Sequence, residues 1–110
     1  MIRYYKVNNN VSVTHLKSEV YYNKGGENVW NGRRERRGYY ISVSPVKRER
    51  GCESYTAWTG LKQCVLEVKR SSSKKANEAE EYFKNHVEEF IQTHFNGFDV
   101  DMENYIERRT

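Results

Sequence analysis

The sequence predicts an α+β fold: an antiparallel sheet of three to five strands drawn from residues 3–59, with helices on one face. Three observations predict it. Residues 3–59 carry short aromatic and β-branched runs separated by turn-forming residues. Residues 71–97 carry apolar side chains at spacings of three and four. Strand signals come first and helix signals last, the order of a sheet covered by later helices. The 110 residues are enough for a single domain with one core, basic and β-rich over 1–70 and acidic and helical over 71–110.

The elements follow in chain order. "RYYKV" (3–7) is a short aromatic strand, and "NNN" (8–10) is a turn. In residues 11–23, Val11, Val13 and His15 alternate with polar residues until the pattern breaks near Lys17-Ser18. That stretch reads as one bulged strand or two short ones. "KGGEN" is the next turn. "YYISVSPV" (39–46) is the clearest strand, with Tyr39, Ile41 and Val43 on one face and Tyr40, Ser42 and Ser44 on the other. Pro45 has no N–H to give a ladder, so it marks an edge or a strand end. Residues 47–53 form a charged hairpin turn, and 54–59 return as a strand.

Residues 61–69 fit two periods. As a helix, Leu61, Cys64, Val65 and Val68 share a face; as a strand, Cys64, Leu66 and Val68 do, and the reading leans to helix. From about 72 to 95, Ala76, Ala79, Phe83, Val87, Phe90 and Ile91 make one apolar stripe of a long helix. The preceding serines cap it, and Asn96-Gly97 supplies a left-handed stop. The tail reads as a second short helix, capped by Asp99 or Asp101 and anchored by Phe98, Tyr105 and Ile106.

Charge is uneven along the chain. Residues 1–70 hold 14 Lys/Arg and 6 Asp/Glu, a net of +8, while residues 71–110 hold 5 and 9, a net of −4, which together return the overall +4. Such asymmetry points to an electrostatic face. Enzyme chemistry finds no support. GxSxG, P-loop, HExxH and paired-cysteine motifs are all missing. His86 and His94 stand about 12 Å apart along the helix axis, too far to share a metal. His15 is isolated, and Glu78, Glu80, Glu81, Glu88 and Glu89 read as a solvated helix face. No cofactor or metal is expected. Cys52 and Cys64 lie without a second pair, as free thiols of a reducing compartment do. Neither a signal-type apolar stretch nor a run of about 20 apolar residues is present, so a cytoplasmic protein with no membrane partner is expected.

Three basic clusters are the candidate binding residues: Arg33, Arg34, Arg36 and Arg37; Lys47, Arg48 and Arg50; and Lys69, Arg70, Lys74 and Lys75. The first two flank strand 39–46, which spans about 26 Å, so they predict a stripe and not one pocket. If 61–69 is a strand returning along 54–59, Lys69-Arg70 arrives beside Lys47–Arg50 and the second and third clusters merge. Lys74 and Lys75 fall in the first turn of the long helix, where free N–H groups and lysines make an anion site. The plainer alternative is an exposed pair of lysines that costs only about tenths of a kcal/mol there. For "NGRRERRGYY" (31–40), the plainer alternative is a solvated turn. Most aromatic rings are needed in the core. Trp30 and Tyr40 are the two assigned to stack on a base or anchor a partner.

"KRSSSKKANEAEEYF" (69–83) is similar to the start of the last helix of double-stranded-RNA-binding domains, where a basic Ser-Lys-Lys segment follows a sheet and grips phosphates. The resemblance covers 15 of 110 residues and implies phosphate contacts by Lys74 and Lys75. In size, charge asymmetry and lack of catalytic motifs, the chain also resembles small orphan proteins of phages and mobile elements, a class that includes anti-CRISPR inhibitors. The expectation is a non-enzymatic protein that binds nucleic acid or a nucleoprotein through its basic clusters. The alternative is a mobile-element inhibitor or accessory that binds a host protein. A third reading has charges that only confer solubility.

Overall fold

The computed structural model describes residues 1–27, 32, 34–49, 52–55 and 60–109. It is an α+β structure in which one helix covers one face of an antiparallel sheet. The first hairpin joins β1 (Ile2–Asn8) to β2 (His15–Asn23). The asparagines turn the chain by distinct means. Asn9 takes the left-handed conformation at φ 56°, which short amide side chains tolerate. Asn10 accepts the Ser12 and Val13 N–H groups on its Oδ1, at 2.9 and 2.8 Å. The expected strand at residue 11 starts only at His15, because Val11 is 88% exposed while Val13 turns into the core. No break occurs at Lys17-Ser18. Ser18 keeps the alternation because its Oγ donates to the Arg3 carbonyl at 3.0 Å, which makes burial of a hydroxyl tolerable.

After β2, Gly25 is left-handed (φ 77°), and a Cβ there would meet the Arg37 nitrogen and the Glu35 oxygen at 2.9 Å. The short ribbon β3 (Gly26–Glu27) and β4 (Arg34–Glu35) follows. Then comes β5 (Gly38–Glu49), whose 12 residues reach about 40 Å. One edge of β5 pairs with all of β2, from Asn23 opposite Gly38 to His15 opposite Val46. Its other edge is shared. β6 (Cys52–Tyr55) pairs with Val46–Glu49, and β7 (Leu61–Glu67) pairs with Gly38–Val43. Pro45 lies inside β5, buried opposite Leu16, and not at an end. There it keeps its place in the β2 register as a residue with no N–H to give the ladder.

The helical reading of 61–69 is overturned by β7. An apolar run this short has no period of its own to enforce, and the open edge of β5 decides it. Helix α1 (Ser73–His94) runs 22 residues, about 33 Å, within one residue of the expected 72–95 at each end. Ser72 is the N-cap, and its Oγ accepts the Lys75 N–H at 3.2 Å. Ala79, Phe83, Val87 and Ile91 are buried on β2, β5 and β7, against Tyr5, Leu16, Val20, Tyr39, Ile41 and Val43. The stop differs from the expected glycine. Phe95 ends the helix at φ −127°, its N–H still bonded to the Ile91 carbonyl at 2.8 Å, and Gly97 is not left-handed.

The expected C-terminal helix is instead β8 (Asp99–Arg108), antiparallel to β1 at the far edge of the sheet. Asp101 does cap N–H groups, those of Glu103 and Asn104 at 3.0 and 3.1 Å, but the cap closes a bulge in the pairing and opens no helix. Arg3 ties this edge to the core. Its guanidinium donates to Glu107 at 2.8 Å and Tyr5 Oη at 3.1 Å, and lies 4.5 Å from the Tyr105 ring. The whole sheet has more strands than the three to five expected, in the order β6-β5-β2-β1-β8 with β7 beside β5. No helix of the described residues is long and apolar enough to cross a membrane.

Two predictions follow from the core. Phe83→Ala removes a fully buried ring from the centre of α1 and should cost about 3–5 kcal/mol in urea unfolding. His15, on the face away from α1, has its pKa pushed down by burial and then by Arg48 and Lys6. Its neutral form therefore favours the fold. That stability is present above the ordinary histidine value of about 6.5 and is lost as pH falls through the lower folded value. Replacing His15 with Gln should flatten the slope of stability against pH on the acid side of neutrality.

Candidate functional site

The register of β7 on β5 decides where the basic residues meet. Glu67 stands opposite Gly38, so the chain beyond β7 emerges beside Arg36 and Arg37. Val68 N–H donates to the Arg37 carbonyl at 3.2 Å. The Arg37 guanidinium answers with two bonds, Nε to the Lys24 carbonyl and Nη1 to the Lys69 carbonyl, both 3.0 Å. Arg36, Arg37, Glu67, Val68, Lys69 and Arg70 line one open cleft of about 790 Å³. It holds four cations and one carboxylate. Arg36 and Arg37 of the first cluster meet Lys69 and Arg70 of the third here, instead of the expected meeting of Lys69 and Arg70 with Lys47 and Arg48, because β7 pairs with Gly38–Val43 of β5.

The helix begins at the same end. From Glu67 the chain needs only five residues to reach Ser73, and the Tyr39 hydroxyl meets Ser71 Oγ at 2.9 Å beneath that crossing. The first turn of α1 carries no acidic residue. Its free N–H groups and positive dipole end add to the local potential. Lys74 is exposed there, and Lys75 pairs with Glu78 at 3.6 Å. Among the described residues, no side chain pairs with Lys69, Arg70 or Lys74. The one ion pair in the cleft, Arg36 to Glu67 at 3.3 Å, joins side chains that are 75% and 60% exposed. Such a pair is worth about 0–1 kcal/mol, so an anion can take over the guanidinium at little cost.

The remaining expected residues separate. Arg34 is exposed on β4 and does not line the cleft. Its neighbour Glu35 is held by Asn23 at 2.6 Å and by Lys62, so that carboxylate is already partnered. Cluster two lies about 30 Å away along β5. There Lys47 pairs with Glu49 at 3.2 Å, and Arg48 lies 4.2 Å over the Tyr4 ring, with Nη1 buried and unbonded among the described residues. Arg48 is a packing cation there. Tyr40 is 6% exposed and donates to the Arg36 carbonyl at 2.7 Å, so it has no free face for a base. Its hydroxyl holds the backbone of Arg36, which lines the cleft. Trp30, Arg33 and Arg50 lie outside the described residues.

His86 and His94 line a separate groove of about 270 Å³ between α1 and β7, where His86 stacks on Tyr82 at 3.9 Å. Among the described residues no group of His, Cys, Asp and Glu converges to hold a metal ion, and Cys52 and Cys64 are free. The sequence reading missed Lys24 and Ser71, which contribute a carbonyl and a hydroxyl and carry no charge signal in those roles. Comparisons with family models, with characterised proteins and with solved structures find no match for this chain.

Gly38 is the position on which the merged site turns. A Cβ there would run into the Leu66 carbonyl, a backbone atom that cannot swing aside. Gly38→Ala should push β7 off the start of β5, cost about 1–3 kcal/mol in denaturant unfolding, and speed amide exchange at Leu66–Val68.

Proposed function

We propose that this chain binds nucleic acid by its phosphate backbone, through the cationic lip at the Gly38 end of the sheet. The observation that carries the reading is the convergence of Arg36, Arg37, Lys69 and Arg70 on one open cleft holding a single carboxylate. Arg34, two residues before Arg36, and Lys74 and Lys75, in the first turn of α1, are the further cations nearest to it in sequence. Phosphate contacts of this kind position a partner without reading its bases. The buried state of Tyr39 and Tyr40 supports sequence-independent binding, since neither ring is offered for stacking.

The binding is salt-dependent, because each neutralised phosphate releases counterions. With four contacts, log K against log salt should fall with a slope of about −3 to −4. Titration of labelled 20-mer duplex DNA, single-stranded DNA and duplex RNA between 50 and 200 mM salt is the test. Lys69→Glu with Arg70→Glu should weaken binding by roughly a hundredfold and flatten the slope, while Lys47→Glu should leave both near wild type. Binding too weak to measure at 50 mM salt for all three probes would sink the proposal.

A second reading is favoured by a different observation. The surface of α1 keeps Glu78, Glu81 and Glu89 exposed or at its rim, on the same molecule as the cationic lip. A phage or mobile-element inhibitor that occupies a host nucleoprotein uses both signs, the lip on an acidic surface and the helix in a channel meant for nucleic acid. A stoichiometric protein partner that survives nuclease treatment of a host lysate supports this reading over the first.

A further inference from the structure

We infer that Arg37 is the positioning residue of the lip: a clasp that holds the cations of two distant chain segments in one place. The inference rests on the nucleic-acid reading for its functional consequence and on geometry alone for the clasp. Arg37 reaches Lys24, 13 positions back, with Nε, and Lys69, 32 positions on, with Nη1. Its own carbonyl accepts the Val68 N–H. One residue thus bonds the β2–β3 turn, β5 and the β7–α1 linker together at the lip. The close approach of Gly25 to the Arg37 nitrogen seats the first of these segments without room for a side chain.

Both acceptors of the guanidinium are neutral carbonyls. A carboxylate in either place would satisfy the same donors and cancel the charge. With carbonyls, the clasp closes the linker onto the sheet and keeps the lip cationic. Arg36 differs: its guanidinium bonds an exposed carboxylate and is available to a ligand. A lysine cannot replace Arg37 in this role. Its ammonium is a compact point charge, whereas the planar guanidinium presents Nε and Nη donors fixed in a fork.

The test is Arg37→Lys, which keeps the charge and removes the fork. Amide exchange across residues 68–72 should accelerate by roughly tenfold while Phe83–Ile91 stays protected. Affinity for whichever of the three 20-mer probes the wild type binds should drop by roughly tenfold although no charge is lost, because Lys69 and Arg70 no longer hold their places. In a Lys69→Ala, Arg70→Ala background the same substitution should change affinity less than about twofold, since it acts through those two residues. Unchanged exchange at 68–72 overturns the clasp. Accelerated exchange with unchanged affinity keeps the clasp and overturns its role in binding. A wild type that binds none of the probes refutes the nucleic-acid reading, and the exchange measurement still decides the clasp.

Discussion

The pairing of β5 with β7 governs the rest of the structure. β5 is long enough to hold two partners, β6 and β7, on one edge, and the register of β7 decides where the chain leaves it. Because Glu67 comes to rest opposite Gly38, the chain leaves the sheet at the end where β5 began. Helix α1 then runs back along the sheet, from Ser71 on the Tyr39 hydroxyl just before its N-terminus to a C-terminus near Pro45 and Asn10. Gly38 makes the arrangement possible, since any side chain there meets the Leu66 carbonyl.

Electrostatics reinforce what the register places. Cations at one end of the sheet are effective together only within about a Debye length, roughly 10 Å at 0.1 M salt. Arg36, Arg37, Lys69 and Arg70 line one cleft and share a field. Lys47 and Arg48, about 30 Å off, do not. There Lys47 makes an exposed pair with Glu49, and Arg48 packs on the Tyr4 ring. The opposite edge shows the same economy: Arg3 is buried, but its charge is committed to Glu107 and to two aromatic rings.

Features that depend on neighbours within four positions were legible in the residues. α1 declared itself through its stripe from Ala76 to Ile91 and its serine cap, the first turn through three asparagines, and the faces of 39–46 through strict alternation. The two misread segments, 61–69 and 98–110, share a cause. Each is short or weakly periodic, and each takes strand form because a sheet edge lacks a partner: β7 on β5, β8 on β1. Asp101, one of two residues expected to cap a helix there, instead accepts N–H groups within a bulge of β8.

Residue type and order alone established the α+β class, the long helix, and the identity of the cations. They could not establish which cations meet. That depends on contacts such as Arg37 with Lys69, 32 positions apart, and on a register set by backbone pairing and one glycine. Charge is a property of each residue, but a binding surface is a property of distances between residues. Those distances follow from strand register, which here rests on edge pairing that composition and periodicity do not encode.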